Sequence, residues 1–173
     1  NTAVFPGYQG GPLMHVIAAK AAGFLEALQP EFQDYIKSVL ANAKILAETL
    51  KNNGFKIYSG GTDTHLMLVD LRPFGVKGNL ASDSLSRANI TCNKNGIPFD
   101  TESPMVTSGI RLGSQAATTR GFGLKEFQKV GDLITKTIQG LSENPEDNSK
   151  IEDEVRKEVV SLCSNFPIYK HLG

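Results

Sequence analysis

The apolar residues of this chain change their spacing near residue 54, and that change limits the folds that the chain can adopt. From residue 30 to residue 53 they recur at helical spacing, which predicts one long helix. Gly54 is placed to end this helix in a left-handed conformation. Residues 55–58 and the strongly apolar segment 65–71 then have the composition of β-strands. This succession indicates an α/β fold.

The rest of the chain supplies further helices and one further strand. Ser149 and Glu152 have the spacing of a capping box, in which two side chains close the first turn of a helix. Asn79 is a candidate cap for an earlier helix. We expect helices over residues 80–88, 124–141 and 148–165, a strand over 90–93 and a strand around Arg111. Together they predict a compact α/β lobe of three or four strands covered by helices.

The first 28 residues have a different character. Residues 1–11 are a glycine-rich loop, and Pro12 is suited to the first position of a helix that continues to residue 28. That helix is apolar almost all round, so it must be buried on most sides. The lobe offers little to bury it. We therefore expect further structure or a partner subunit, and we interpret the start of the sequence as the middle of a domain.

Composition excludes several classes of function. Eighteen basic residues balance eighteen acidic ones, so nothing predicts binding to nucleic acid or to an anionic membrane. No apolar run is long enough to span a bilayer. The three histidines and two cysteines have no metal-ligand spacing, so no metal is expected. Without a CxxC pair, Cys92 and Cys163 are expected to be free thiols in a reducing compartment.

Arg111 is the residue that most clearly suggests chemistry. It lies in a strand-like run in which Ile110 and Leu112 point to one face and Arg111 to the other. Gly109 and Gly113 remove side chains beside it, so a ligand could approach the backbone. A guanidinium in this setting suits a carboxylate or a phosphate. The alternative from the local sequence is an ordinary solvated arginine.

Two other segments are weaker candidates. Gly10 and Gly11 precede a helix, and free N–H groups at a helix start favour anions, although a plain loop-to-helix entry would have the same sequence. Residues 93–95 read Asn-Lys-Asn after a predicted strand. Amides that donate and accept suit a heteroaromatic ring, but asparagines are also common in turns.

Several motifs in this order carry a resemblance to a known family. They are residues 3–7 (AVFPG), 9–15 (QGGPLMH), 60–63 (GGTD), 65–71 (HLMLVDL), 87–91 (RANIT), 93–95 (NKN) and 107–111 (TSGIR). With these motifs the chain resembles serine hydroxymethyltransferase of the bacterial type over essentially all of its length.

The resemblance implies a cytoplasmic pyridoxal-phosphate enzyme of the aspartate-aminotransferase fold (fold type I), a homodimer or higher oligomer. Its activity would interconvert serine and glycine while moving a one-carbon unit to or from tetrahydrofolate. Residues 1–28 would be the C-terminal edge of the large cofactor-binding domain, and residues 29–173 the small α/β domain, with the helix over 30–53 bridging them. The family's Schiff-base lysine would lie upstream, so this chain alone is expected to be inactive.

The resemblance also assigns roles to individual residues. Arg111 would bind the carboxylate of the amino-acid substrate, and Gly10 and Gly11 would reach across the dimer to the partner's cofactor phosphate. Asn95 would contact folate, with Lys94 as a weaker candidate. Arg120 would have a structural or loop-anchoring role. The alternatives are another fold type I pyridoxal-phosphate enzyme and a non-catalytic α/β binding module.

Overall fold

A computed structural model describes residues 1–169, and the chain divides into two compact units. The first unit is Asn1–Ile36, and the second begins at Lys37. Helix α2 (Pro30–Asn52) crosses this boundary, so the long helix expected from the sequence is confirmed. Gly54 follows it at a φ of 93°, the left-handed conformation predicted for the residue that ends the helix.

The first unit contains one complete helix and the first turns of α2. Residues Ala3–Tyr8 form a helical turn within the segment that was expected to be only a loop, and α1 spans Met14–Ala27. The helix therefore begins two residues later than the predicted start at Pro12. No residue of α1 is buried within the described chain, and Phe24 and Leu25 are both well exposed. The burial that its composition demands is not supplied by residues 1–169.

The second unit is built on a four-stranded antiparallel sheet. Its strands are β1 (Lys56–Ile57), β2 (Leu66–Asp70), β3 (Asn93–Asn95) and β4 (Gly109–Gly113), in the order β1-β2-β4-β3. The last strand of the sequence thus lies between two earlier ones. The prediction of a strand at 90–93 was wrong by about three residues, because pairing with β4 sets the position of β3.

Helices cover one face of this sheet. They are α3 (Gly78–Arg87), the short α4 (Gln115–Arg120), α5 (Leu124–Glu143) and α6 (Ser149–Ser164), together with α2. Alternate strand residues turn towards the helices and form the centre of the core, where each buried aliphatic side chain contributes roughly 1.5–3 kcal/mol. These residues include Ile57, Met67, Val69, Ile110 and Leu112. No helix within residues 1–169 combines the length and apolar character needed to cross a membrane.

The two caps expected from local spacing are both wrong. Helix α3 begins at Gly78, one residue before Asn79, whose backbone N–H donates to the carbonyl of Val106 at 2.9 Å. Helix α6 begins at Ser149, but the side chain of Glu152 does not close its first turn. That carboxylate instead binds Arg87 of α3, because a buried acid gains more from a cation than from a backbone N–H.

Candidate functional site

Arg111 occupies the middle of β4 on the face of the sheet that the helices leave uncovered. It lies opposite Leu68 of β2 and Asn93 of β3. Its neighbours in sequence, Ile110 and Leu112, are buried on the helical side, so alternation directs Arg111 outward. The sequence prediction of a two-faced strand is confirmed.

The guanidinium of Arg111 differs from those of the other arginines. Each of the other four forms hydrogen bonds with an acidic side chain or with carbonyl groups. Within residues 1–169, Arg111 has neither an ion pair nor a side-chain hydrogen bond. The partnered arginines are Arg72 with Asp70, Arg87 with Glu152, Arg156 with Asp153, and Arg120 with the carbonyls of Phe166 and Cys163. A central, exposed cation without a partner is a candidate anion-binding group.

Arg120 holds the end of α6. Its Nε donates to the carbonyl of Phe166 at 2.6 Å, and its Nη2 donates to the carbonyl of Cys163 at 3.0 Å. Carbonyls at a helix C-terminus lack partners within the helix, and a cationic side chain satisfies them. The structural, anchoring role expected for Arg120 is confirmed.

A buried acidic residue shares the open face with Arg111. Asp70, the last residue of β2, is only 1% exposed, yet Arg72 binds both of its carboxylate oxygens, with Nη2 at 2.7 Å. Burial alone would favour the protonated acid, but the hydrogen bonds and charge of Arg72, with the charge of Lys56, lower the pKa of Asp70. Asp70 is therefore an ionised and fully engaged carboxylate. An acid that ends an apolar strand was the sequence signal for this pair, since buried acids need cations.

The two glycines beside Arg111 do not open the backbone to a ligand. A β-carbon on Gly109 would lie 2.7 Å from Cγ2 of Ile97 and 2.7 Å from the carbonyl oxygen of Val69. A β-carbon on Gly113 would meet Leu66 at 3.1 Å. The protein's own atoms fill both places, so the expected ligand approach is wrong. Gly109 is required for close packing around the strand, whereas a β-carbon at Gly113 would need only a small shift of the Leu66 side chain.

The two predicted folate-binding residues lie in strand β3 and point to opposite faces of the sheet. Asn95 lies opposite Gly109 and so shares the face of Arg111, whereas Lys94 lies opposite the buried Ile110 on the other face. The amide of Asn95 donates one hydrogen bond, 2.8 Å, to the carbonyl of Gly96. Its oxygen accepts none within residues 1–169. The structure brings Asn95 and Arg111 to one surface and directs Lys94 away from it.

The loop after β3 is fastened by one carboxylate that sequence reasoning missed. Asp100 accepts hydrogen bonds from the hydroxyl and the backbone N–H of Ser108, at 2.7 and 2.9 Å, and from the backbone N–H groups of Ile97 and Glu102. Burial opposes ionisation, but these donors outweigh it and hold the pKa of Asp100 well below its usual range. The loop between Asn95 and the Arg111 strand is therefore anchored. An acid in a loop with Pro and Gly was its only sequence signal.

Gly10 and Gly11 belong to the first unit. Both are exposed, and no atom outside the neighbouring residues lies within 4 Å of a β-carbon placed on either one. Their N–H groups donate no hydrogen bond within the described chain. They precede α1 by three residues or more, so they are not part of its first turn. If this segment binds an anion, the donors are therefore the free backbone N–H groups of the two glycines and not the first turn of a helix.

Arg111 and Asn95 do not line either of two well-formed cavities of the second unit. One, of about 770 Å³, is bordered by the loop over residues 58–64 and by Leu68 and Pro98. The other, of about 720 Å³, lies among the helices and is lined in part by Cys163. Both cysteines are free, and burial raises the pKa of the Cys92 thiol to about 11, which leaves it protonated and unreactive. The candidate site is thus an open sheet face.

The comparisons with known proteins agree with the motifs. The family model described as serine hydroxymethyltransferase matches residues 1–134. The chain is 85% identical over 172 residues to a serine hydroxymethyltransferase of Pelagibacter ubique (strain HTCC1062), covering 99% of this chain and 39% of that protein. It is 68% identical over 170 residues to one of Marinomonas sp. (strain MWYL1), covering 98% of this chain and 40% of that protein.

The chain therefore spans about two fifths of the length of these relatives and corresponds to their C-terminal part. The matched residues include every residue of the candidate site. More than half of the chain matches the family model, and the identities are high over nearly its whole length. The chain belongs to the serine hydroxymethyltransferase family.

Proposed function

We propose that the whole protein interconverts serine and glycine and transfers the one-carbon unit to or from tetrahydrofolate, with pyridoxal phosphate as its cofactor. Membership of the family and the names of the relatives support this reaction. The observation that carries the proposal is the guanidinium of Arg111, central on an open sheet face and without a partner within residues 1–169.

Arg111 would bind the carboxylate of serine or glycine through two parallel N–H donors. A planar guanidinium matches the two carboxylate oxygens, and charge-assisted hydrogen bonds of this kind contribute roughly 1.5–3 kcal/mol each. Because β4 is paired with a strand on each side, the backbone position from which the Arg111 side chain extends is fixed. Holding the carboxylate orients the bond at Cα that is to be broken, and such orientation supplies much of an enzyme's rate.

The exposed glycines would bind the phosphate of the cofactor. Gly10 and Gly11 have open surroundings and unused N–H groups, which fits an anionic oxygen group. We propose that this phosphate belongs to the cofactor of a second subunit, so that the protein is at least a homodimer. When bound, pyridoxal phosphate supplies an electron sink for the reacting substrate. The exposed apolar surface of α1 supports burial by other parts of the whole protein.

Asn95 would contact tetrahydrofolate from the face that it shares with Arg111. Its amide oxygen is available, and its second N–H can donate, which suits the mixed groups of a pterin ring. Lys94 remains the weaker of the two proposed contacts, because its side chain leaves the strand on the opposite face.

The family relationship also supports an architecture for the whole protein. We propose the aspartate-aminotransferase fold (fold type I), with residues 1–28 as the edge of the large domain and residues 29–173 as the small domain, connected by α2. The Schiff-base lysine would lie upstream of residue 1. The 173-residue chain alone would then be inactive, since the cofactor's chemistry needs that lysine.

Glycine binding by the full-length protein tests the proposal. Arg111→Ala should weaken the calorimetric affinity for glycine by at least about tenfold, because a charge-assisted pair is lost. Arg156→Ala, which removes an exposed arginine paired with Asp153, is the matched control and should bind like the wild type. Unchanged glycine binding by Arg111→Ala would reject the assignment. Serine cleavage that does not respond to tetrahydrofolate would favour another pyridoxal-phosphate reaction.

A further inference from the structure

Resting on the proposed function of Arg111, we propose that Arg72 is a positioning residue that keeps the Arg111 guanidinium available to substrate by occupying Asp70. Asp70 is the only acidic residue within the four strands of the described sheet. It is therefore the nearest strand carboxylate that could compete with a substrate carboxylate for Arg111.

The strand register places Asp70 on the same face of the sheet as Arg111. Leu68 lies directly opposite Arg111, and Asp70 is two residues further along β2, opposite Gly109. Such diagonal neighbours share a face and are roughly 7–8 Å apart, which long side chains can span. Gly109, which lies opposite Asp70, contributes no side chain of its own to this face, and the side chain of Ile97 packs against it.

Arg72 at present occupies both oxygens of Asp70. Its Nε donates to Oδ1 at 3.0 Å and its Nη2 to Oδ2 at 2.7 Å, while its backbone N–H donates to Oδ1 at 3.0 Å. Lys56 stands further away, 3.7 Å from Oδ2, with a side chain that is 58% exposed. The acid has no need of a second guanidinium while Arg72 is in place.

Removal of the Arg72 side chain would change this balance. The buried carboxylate would keep one backbone donor and the ammonium of the largely exposed Lys56, at 3.7 Å. These partners are weaker than the bidentate guanidinium, and an under-paired buried charge is costly. Arg111 is the remaining arginine on the same face, and its guanidinium is unengaged. It would turn to Asp70 and become less available to a substrate carboxylate. Loss of binding would then depend on the charge of Asp70.

Glycine affinity of full-length variants, measured by calorimetry, tests this dependence. Arg72→Gln keeps much of the side-chain volume and should bind glycine at least about tenfold more weakly than the wild type. The double variant Arg72→Gln/Asp70→Asn, which removes the competing charge, should return to within about threefold of the wild type. Arg156→Ala serves again as the matched control, because its partner Asp153 is an exposed residue of α6.

The outcomes separate this proposal from the proposed function. If Arg111→Ala loses glycine binding while Arg72→Gln keeps it, the positioning role is overturned and the carboxylate role stands. A loss in Arg72→Gln that Asp70→Asn does not restore also overturns it, because the effect would then be structural. If Arg111→Ala binds glycine normally, the proposed function itself fails.

A folding defect in Arg72→Gln would not leave the question open. The double variant buries no charge, and Arg72→Lys retains a cation beside Asp70. Both should bind glycine within about threefold of the wild type. A loss of about tenfold in either variant, at an unchanged thermal midpoint, would overturn the proposal.

Discussion

Arg87 of α3 donates hydrogen bonds of 2.7 Å to each of the two carboxylate oxygens of Glu152 on α6. The same carboxylate accepts a 2.6 Å hydrogen bond from the hydroxyl of Ser84. The acid is buried, whereas 57% of the Arg87 side chain is exposed. These contacts join two helices that are more than sixty residues apart in sequence, and they support the helical layer behind the open sheet face.

This pair makes stability dependent on pH. The hydrogen bond from Arg87 is the main cause that lowers the pKa of Glu152, and burial opposes it. An acid with a lowered folded pKa stabilises the native state above its unfolded pKa of about 4.3, and that contribution is lost as the pH falls through the folded value. We expect the thermal midpoint of the wild type to fall below pH 4.5 more steeply than that of Glu152→Gln.

A surface acid provides the control for this titration. Glu158 pairs with Lys129 on exposed faces of α6 and α5, where solvent screens the interaction. Glu158→Gln should therefore change the pH profile of the melting midpoint much less than Glu152→Gln. Equal changes in the two variants would show that the buried pair has no special part in acid stability.

Gly109→Ala should be strongly destabilising. The new methyl group would lie 2.7 Å from Ile97 and from the carbonyl of Val69, so β4 or its neighbours would have to move. Overpacking of this kind costs roughly 1–3 kcal/mol. The measurement is the thermal midpoint of the full-length protein. Gly61→Ala is the comparison, since nothing lies within 4 Å of its added β-carbon. Equal midpoints for the two variants would contradict the packing described here.

Asn95→Ala should weaken the binding of tetrahydrofolate more than Lys94→Ala does. The first removes an amide on the face of Arg111, and the second removes a side chain on the opposite face. We expect Asn95→Ala to raise the Kd for tetrahydrofolate by about tenfold, since a lost hydrogen bond costs about 1 kcal/mol or more. Lys94→Ala should raise it by less than about threefold. The reverse order would mean that folate approaches from the helical side of β3.

Arg111→Lys should lose most of the activity with serine although it retains the positive charge. An ammonium group cannot supply two parallel donors in one plane, and its shorter reach would misplace the carboxylate. We expect kcat/KM for serine to fall by about 100-fold in the full-length protein, with an unchanged thermal midpoint because the side chain is exposed. A loss smaller than about threefold would show that charge alone is sufficient at this position.

Local patterns predicted the helices well because helical spacing is a property of neighbouring residues. The span of α2 and the left-handed Gly54 follow directly from sequence. The sequence also predicts the sheet face to which Arg111 points, because its neighbours Ile110 and Leu112 are apolar and turn to the opposite face.

Contacts between distant residues account for the failures. Strand β3 is only three residues long, so its place depends on β4 and not on its own composition. Glu152 has capping-box spacing, but its partner lies 65 residues away. The glycines around Arg111 were interpreted as open space because nothing local reveals that Ile97 packs against Gly109. Such information exists only in the three-dimensional arrangement.

The strand order gives the order in which the ribosome can complete this surface. Strands β2 and β3 both emerge before β4, yet they do not pair with each other, because β4 lies between them in the sheet. Until residues 109–113 are synthesised, the sheet has an unfilled gap between two incomplete edges, a condition that favours aggregation of nascent chains. The segment that fills this gap also carries Arg111. A nascent chain therefore acquires its proposed substrate cation in the same step that pairs the inner edges of β2 and β3.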